Sequence, residues 1–132
     1  MTNQEAYDRV CAHLQKQGCQ SVALYGSINR CVYHTPDGLR CAIGALIPKE
    51  LYEPSMEGLA VNVLPPSFAS VEELFHGVSL ELLSGLQWVH DLASSWNMFG
   101  LTDTGRNHLH FIAIQHNLTP FNFNKTSQEV TL

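Results

Sequence analysis

The chain has 132 residues, of which 45% are hydrophobic and 14% charged, and its formal net charge is −5 at pH 7. This length fits one domain with one core, and the hydrophobic content excludes a disordered chain. No Lys or Arg occurs between residues 50 and 103, so the second half of the chain is acidic and direct binding of nucleic acid is not expected.

Location and partners are suggested by the same composition. Residues 1–10 show neither the basic start nor the apolar segment of a signal peptide, so we expect a cytoplasmic protein whose four cysteines are reduced. No apolar run approaches the roughly 18 residues that a membrane span needs. The low charge density gives a weakly repulsive surface, which favours a protein partner or a homodimer.

The first predicted element is a helix over residues 3–17. Thr2 and Glu5 form a capping box at its start, in which each side chain satisfies a backbone N–H of the other residue. Gly18 stands where a left-handed residue ends a helix. Apolar residues recur every three or four positions between these signals, as on the buried face of a helix.

Two short strands and a hairpin turn are predicted next. Residues 21–25 are β-prone and lead into a turn at 26–27, whereas residues 30–34 give a better strand signal. Residues 35–38 are Thr-Pro-Asp-Gly, which is the composition of a bulged hairpin turn. Residues 39–41 should therefore pair back onto the second strand.

This hairpin would place Cys31 and Cys41 on one face. The pair has three interpretations: two small core residues, a reactive thiol, or metal ligands together with His34 and His90. The spacing of the two cysteines and His34 does not match a zinc finger, and strand residues three apart point to opposite faces. We therefore expect neither a metal nor a cofactor.

Short elements are predicted in the middle of the chain. Residues 42–47 are apolar and rich in Ala, as in a short helix, and residues 59–64 suit a short strand or an extended link. Ser70 and Glu73 suggest a second capping box, which predicts a short helix over residues 71–76.

Two longer helices complete the prediction. Ser79 caps the strongest helical pattern in the chain, over residues 80–96, and a final helix is predicted over residues 104–116. The predicted fold class is α+β and rich in helix, with an N-terminal helix, a small antiparallel hairpin or sheet, and three or four C-terminal helices. We expect one globular domain over residues 1–118 and a C-terminal tail over 119–132, which either docks through its Phe rings or is disordered.

One catalytic hypothesis is a thiol-dependent enzyme. Cys41 follows a strand and begins a helix, where the backbone dipole favours a thiolate. His90 is the candidate general base, and Asp91 or Gln87 would orient it or stabilise an oxyanion. Because the sequence around Cys41 matches no catalytic signature, a role without catalysis is the preferred interpretation.

Binding hypotheses concern an aromatic surface and a pocket. Trp88 lies off the apolar stripe of its helix, and together with Trp96 and Phe99 it would anchor a partner or a homodimer. The alternative is that Trp88 packs under residues 61–68. A pocket between the hairpin and the helices, for a small nucleotide-like ligand, would be lined by Tyr33, Cys41, Gln87 and His90.

Several short motifs occur together along the chain. They are Arg30-Cys31-x-Tyr33, Asp37-Gly38-x-x-Cys41-Ala42-Ile43-Gly44-x-Leu46-Ile47-Pro48, Tyr52, Met56-Glu57-Gly58 and Leu86-Gln87-x-x-His90-Asp91. In these motifs the chain resembles, over residues 1–118, a family of small uncharacterised proteins that occur in tailed phages, prophages and bacterial genomes. The resemblance implies a mobile-element setting, in which small acidic proteins often act by binding a host component, and it implies no catalytic residue.

The leading functional expectation is a phage or prophage accessory protein that binds a host component, with an anti-defence inhibitor as its specific form. Two alternatives stay open. One is the thiol-dependent enzyme that uses Cys41 and His90, and the other is a protein that sequesters a small ligand.

Overall fold

A computed structural model describes residues 1–25 and 27–125 and confirms the α+β fold class. Two small antiparallel sheets, β1 with β2 and β3 with β4, accompany five helices in this part of the chain. None of these helices is long and apolar enough to cross a membrane. The elements are α1 (Asn3–Gln17), β1 (Val22–Tyr25), β2 (Ile28–Cys31), α2 (Leu64–Ser67), α3 (Ala69–Leu74), α4 (Leu80–Asp91), β3 (Trp96–Asn97), β4 (Gly100–Leu101) and α5 (Asp103–Gln115).

Helix α1 forms as predicted because both of its ends carry capping residues. The Thr2 hydroxyl accepts from the Glu5 N–H, and the Glu5 carboxylate accepts from the Thr2 N–H, both at 3.1 Å. Gly18 takes a φ of 73° and ends the helix. The Tyr7 hydroxyl on the buried face donates to the Leu109 carbonyl of α5 at 3.1 Å, which ties the first helix to the last.

The first sheet pairs residues 22–25 with residues 28–31, which confirms the strand predicted within residues 21–25, whereas the second strand begins and ends earlier than the predicted residues 30–34. Val22 lies opposite Cys31, where β2 ends. The Val32 N–H still donates to the Ser21 carbonyl at 3.0 Å, but the N–H groups of Tyr33 and His34 leave the sheet and donate to the Glu57 carboxylate at 2.9 and 3.2 Å. These bonds to a distant side chain take the place of strand pairing.

The predicted turn over residues 35–38 is present, but the hairpin around it is minimal. The Thr35 N–H donates to the Leu39 carbonyl at 2.8 Å, and the pairing beyond is a single bridge between His34 and Arg40. The turn predicted at 26–27 includes Gly26, which lies outside the described residues.

Residues 42–47 contain a short helix as predicted, but it is a single 3₁₀ turn over Gly44–Leu46. Gly44 packs directly on the backbone of Tyr33, because a Cβ at this position would lie 1.9 Å from the Tyr33 carbonyl oxygen. The turn is therefore held against the segment that follows β2.

Two predictions between residues 59 and 76 are wrong. Residues 59–64 form no strand or extended link but turn into α2, with the Ala60 carbonyl accepting from two N–H groups at 2.9 Å. Helix α3 begins two residues earlier than predicted, with Phe68 at the cap position. Ser70 therefore lies inside the first turn of α3, and the predicted capping box does not form.

Helix α4 begins at the predicted cap, Ser79, but ends at Asp91 rather than at residue 96. The carbonyls at its end accept from side chains instead of from a further helical turn. The Gln20 amide donates to the carbonyls of His90 and Asp91, and the Trp96 indole donates to the His90 carbonyl at 2.8 Å. The chain then leaves the helix and forms the β3–β4 hairpin.

The segment that follows α5 docks on α1. The Gln4 side chain exchanges two hydrogen bonds with the backbone of Thr119, at 2.8 and 3.0 Å. The Phe121 N–H donates to the Tyr7 hydroxyl at 3.1 Å, and the Phe121 ring is partly buried against the core. The rest of the predicted tail, residues 126–132, lies outside the described residues.

Candidate functional site

A cavity of about 350 Å³, here termed the central cavity, lies between the end of β2, helix α4 and a loop. Its lining consists of residues 30–33, Cys41, residues 57–61, Gln87 and Asp91. Three of the residues predicted to line a ligand pocket, Tyr33, Cys41 and Gln87, are therefore brought together. The fourth, His90, is fully buried and does not line the cavity.

Two hydrogen bonds fix the tautomer of His90. Its Nε2 accepts from the Ser21 N–H at 2.9 Å, because a backbone nitrogen can only donate. The proton of the neutral ring must then lie on Nδ1, which donates to Asp91 Oδ1 at 2.8 Å. Both ring nitrogens are occupied, so His90 is not available as a general base for Cys41.

Gln87 orients the same carboxylate from the other side. Its Oε1 accepts from the Ile43 N–H at 3.1 Å, and its Nε2 donates to Asp91 Oδ1 at 2.9 Å. Asp91 Oδ1 therefore accepts from two side chains, each of which is held by a backbone N–H. We term the connected set Ser21, His90, Asp91, Gln87 and Ile43 the Asp91 relay.

The two thiols at the cavity are poor nucleophiles. Cys41 is buried, its sulfur accepts from the Gly44 N–H at 3.3 Å, and burial raises its pKa to about 12. Burial and the neighbouring Asp91 carboxylate also raise the pKa of Cys31 to about 12. Both thiols are protonated at neutral pH, whereas reactive cysteines require a thiolate.

Cys31, His90 and Asp91 form a group, among the residues that the structure describes, whose possible metal-ligating atoms all lie within 4.8 Å of one another. A metal here would need the lone pair of His90 Nδ1, and the ring proton would then move to Nε2. Nε2 faces the Ser21 N–H at 2.9 Å, so two donors would oppose each other. The relay therefore does not suit a divalent metal.

Glu57 organises the wall opposite α4, a role that the sequence analysis missed. Its two carboxylate oxygens accept from the N–H groups of Tyr33 and His34, and one also accepts from the Tyr52 hydroxyl at 2.6 Å. The Tyr52 ring stacks on His34 with 4.2 Å between ring centroids. A bond between a loop carboxylate and a distant backbone leaves no periodic signal, and the Met56-Glu57-Gly58 motif was the single pointer to this residue.

No family model matches this chain, and neither does any curated protein or solved structure.

The two tryptophans of the predicted aromatic surface have separate partners. Trp88 is half exposed and packs edge to face on His108 of α5 with 4.8 Å between centroids, so it is not buried under residues 61–68. Trp96 is partly buried and is fixed by the bond from its indole N–H to the His90 carbonyl. Trp96 therefore supports the fold of the β3–β4 hairpin.

Phe99, the third residue of that surface, lies at the tip of the β3–β4 hairpin. Phe99 and its neighbour Met98 are each 89% exposed, more than any other large hydrophobic residue in the described part of the chain. The hairpin therefore presents two large apolar side chains side by side in water.

Proposed function

We propose that this chain acts by binding a protein partner and not by catalysis, as a phage or prophage accessory protein in the cytoplasm of a bacterial host. The partner is a host component, and inhibition of a host defence protein is the specific form of the proposal. The observation that carries it is the exposure of Met98 and Phe99 at the hairpin tip. Large adjacent apolar side chains in water gain free energy when a partner covers them.

The hairpin does not need apolar residues at its tip. Gly100, with a φ of 115°, supplies the unusual backbone conformation of the turn, and neither Met98 nor Phe99 takes a positive φ. Asn97 supports the turn by accepting from the Phe99 N–H at 2.8 Å. Polar residues would suit both tip positions equally well, so the fold itself gives no reason for this pair.

The base of the hairpin is firmly held. The Thr102 N–H donates to the Ser95 carbonyl at 2.8 Å, and a Cβ on Gly100 would lie 3.5 Å from the Gly18 Cα at the end of α1. A tip on such a base loses little conformational entropy on binding, which favours affinity. Both features support the hairpin as a preorganised contact surface.

Charge and family resemblance support a host partner. The stretch without Lys or Arg, residues 50–103, includes the hairpin and gives this half of the molecule a negative field that attracts basic surfaces. The resemblance to small proteins of tailed phages and prophages supports the mobile-element setting. In that setting a small acidic protein that binds a host protein fits the role of an anti-defence inhibitor.

The test begins with capture of partners from a bacterial host lysate by the tagged full chain, followed by titration of the purified partner. Phe99→Ser should weaken the dissociation constant by about 30-fold or more, because a central aromatic contact is commonly worth 2 kcal/mol or more. The thermal unfolding curve should stay nearly unchanged, because the substituted side chain is exposed.

Leu24→Ser is the matched control, because Leu24 is 68% exposed on the other hairpin of the molecule. This variant should bind the partner like the parent chain. Failure of the folded chain to capture any partner above background would contradict the proposed function. A captured partner whose affinity is unchanged in a Met98→Ser/Phe99→Ser double variant would contradict the role of the hairpin.

The geometry of the site bears differently on the two alternative functions, a thiol-dependent enzyme and sequestration of a small ligand. The thiol-dependent enzyme loses its support, since Cys41 is buried and protonated and both nitrogens of His90 are occupied. Sequestration of a small ligand is a second candidate function, and the observation that favours it is the central cavity with its oriented Asp91 carboxylate.

A further inference from the structure

We infer that the central cavity binds a protonated alkylamine or alkylguanidinium, whose charged head bonds to Asp91 and whose alkyl stem packs on residues 59–61. A free amine and the side chain of a partner's Lys or Arg share this chemistry. The inference rests on the second candidate function and not on the β3–β4 hairpin, so the two can fail separately.

The Asp91 carboxylate is oriented before any ligand arrives. Its Oδ1 accepts from His90 Nδ1 at 2.8 Å and from Gln87 Nε2 at 2.9 Å, and neither of these donors bonds to Oδ2. Backbone N–H groups hold both donors, so rotation of the carboxylate would break the relay. The side chain is 44% exposed and lines the cavity, so a ligand there can reach the carboxylate, which also forms a hydrogen bond with the neighbouring Cys31 thiol.

The ion-pair contact recorded for the Asp91 carboxylate is His90, and this imidazole is neutral in the tautomer that Ser21 imposes. An ionised carboxylate at a cavity wall forms its strongest hydrogen bonds with charged donors. An ammonium or guanidinium group would supply such a donor.

The other walls fit the remaining parts of such a cation. Residues 59–61 are Leu-Ala-Val and offer an apolar surface of the kind on which a Lys or Arg stem packs. Glu57 adds a second carboxylate to the lining, and Arg30 adds one guanidinium, which lies 3.8 Å from where a Cβ on Gly58 would be. Two carboxylates against one guanidinium leave the lining net negative.

The raised pKa values of three lining residues agree with a net negative charge on the cavity lining. Burial is the main cause that raises the pKa of Cys31, Tyr33 and Cys41, and the Asp91 carboxylate raises all three further. The field of Asp91 therefore opposes a new negative charge at each of these side chains. The same field favours a bound cation.

The test is an NMR titration of the full ¹⁵N-labelled chain with n-butylammonium and n-butylguanidinium chloride. n-Butanol and butyrate are the neutral and anionic probes of matched length. Capped Gly-Lys-Gly and Gly-Arg-Gly peptides, with Gly-Gln-Gly as control, represent a partner's side chain. Both cations should give saturable shifts at the backbone amides of Val32 and residues 59–61, and butanol and butyrate should not.

Asp91→Asn removes the charge but keeps an oxygen that accepts from His90 and Gln87. It should weaken binding of butylammonium by about tenfold or more, because hydrogen bonds to charged groups are the stronger class. Glu81→Gln is the matched control, an equal change of charge at an exposed position on the same helix that lies outside the cavity, and should leave affinity within about twofold. Val61→Trp fills the cavity from its loop and should abolish binding without touching the relay.

Binding of the free cations but not the peptides would assign the cavity to a small ligand, and tighter binding of the Lys or Arg peptide would assign it to a partner's side chain. The inference is overturned if butanol binds as tightly as butylammonium or if shifts never saturate. It is equally overturned if folded Asp91→Asn and Val61→Trp both bind like the parent chain. Intact amine binding in Phe99→Ser, together with lost host capture, would separate this site from the hairpin.

Discussion

Gly44 shows how one missing side chain permits the packing beside the cavity. Its N–H donates to the Cys41 sulfur at 3.3 Å, and its carbonyl accepts from His34 Nε2 at 2.8 Å. The backbone of Tyr33 lies so close that a Cβ on Gly44 would overlap its carbonyl oxygen at 1.9 Å. Since both partners in this contact are backbone, neither can move aside as a flexible side chain would.

We expect Gly44→Ala to lower the free energy of unfolding by roughly 3 kcal/mol or more, because overpacking against backbone forces the chain apart. The measurement is urea unfolding followed by circular dichroism. Gly85→Ala is the control, because a Cβ there would meet Ile112 at an ordinary 3.5 Å. That helical substitution should raise stability by roughly 0.5–1 kcal/mol. Equal effects of the two variants would contradict the close contact.

Single residues differed in how far the sequence revealed them. The proximity of Tyr33 and Cys41 was predictable from the turn at residues 35–38, because a turn places flanking residues close together, whereas Gln87 was placed beside them by the expected packing of its helix on the hairpin. Glu57 and Ser21 were not predictable, since the Glu57 carboxylate bonds to N–H groups 23 and 24 residues away and the Ser21 N–H bonds to His90, 69 residues away. Such a bond has no spacing that a sequence pattern can detect.

Helix α4 forms hydrogen bonds that connect several other parts of the molecule. Through His90 it binds the Ser21 backbone just before β1, and through Gln87 it binds the Ile43 backbone in the 3₁₀ region. Its carbonyls at the C-terminal end bind Gln20. The helix therefore positions the first sheet and the Gly44 turn as well as the cavity wall.

His90→Leu should lower the free energy of unfolding by roughly 2–4 kcal/mol, because it leaves the buried Ser21 N–H without an acceptor and takes a donor from Asp91. Urea unfolding measures this cost. Trp88→Leu is the control on the same helix, and because this side chain is half exposed it should cost less than about 1 kcal/mol. A His90→Leu variant as stable as the parent would show that the relay contributes nothing to the fold.

Elements with signals at both ends were the ones that the sequence predicted well. Helix α1 has Thr2 and Gly18. Helix α5 is capped by Thr102, whose hydroxyl accepts from the Gly105 N–H at 3.1 Å, and is followed by Asn117 with a φ of 56°. Helix α4 had a cap at its start alone, and its apolar pattern continued to residue 96 although the helix ends at Asp91. Its end depends on the Gln20 and Trp96 side chains, which no local pattern contains.

At the scale of the whole molecule, two histidines link stability to pH. His13 Nε2 donates to the Arg40 carbonyl at 2.9 Å, and His34 Nε2 donates to the Gly44 carbonyl at 2.8 Å. Burial is the main cause that lowers the pKa of both rings. The unfolded chain therefore binds a proton on each ring near pH 6.5, whereas the folded chain binds it at lower pH.

The contribution of these rings to stability should therefore be full well above about pH 6.5 and decrease as the pH falls through this value towards 5, because protons bind preferentially to the unfolded chain. Urea midpoints measured across this range test the expectation. A His13→Gln/His34→Gln variant keeps an amide donor at each position and should show a flatter dependence. His110→Gln, an exposed control, should keep the slope of the parent chain. The same slope in all three chains would contradict the role of these rings.

The fold class was predictable as a whole because it depends on the order of strong local signals: a capped helix, a turn-rich middle and helical patterns after residue 69. The extent of β2 was not, since it ends at Cys31 and the N–H groups of Tyr33 and His34 bond to the distant Glu57 carboxylate. A pocket between the hairpin and the helices was expected, but its loop wall at residues 57–61 was not.

The docking of the segment after α5 on α1 also sets an order of events during synthesis. Gln4 and Tyr7 leave the ribosome more than a hundred residues before their partners Thr119 and Phe121. The first helix can form early, but its final contacts must wait for nearly all of the described chain. The contacts between α1 and the segment after α5 therefore form late in synthesis, and until then α1 lacks these partners.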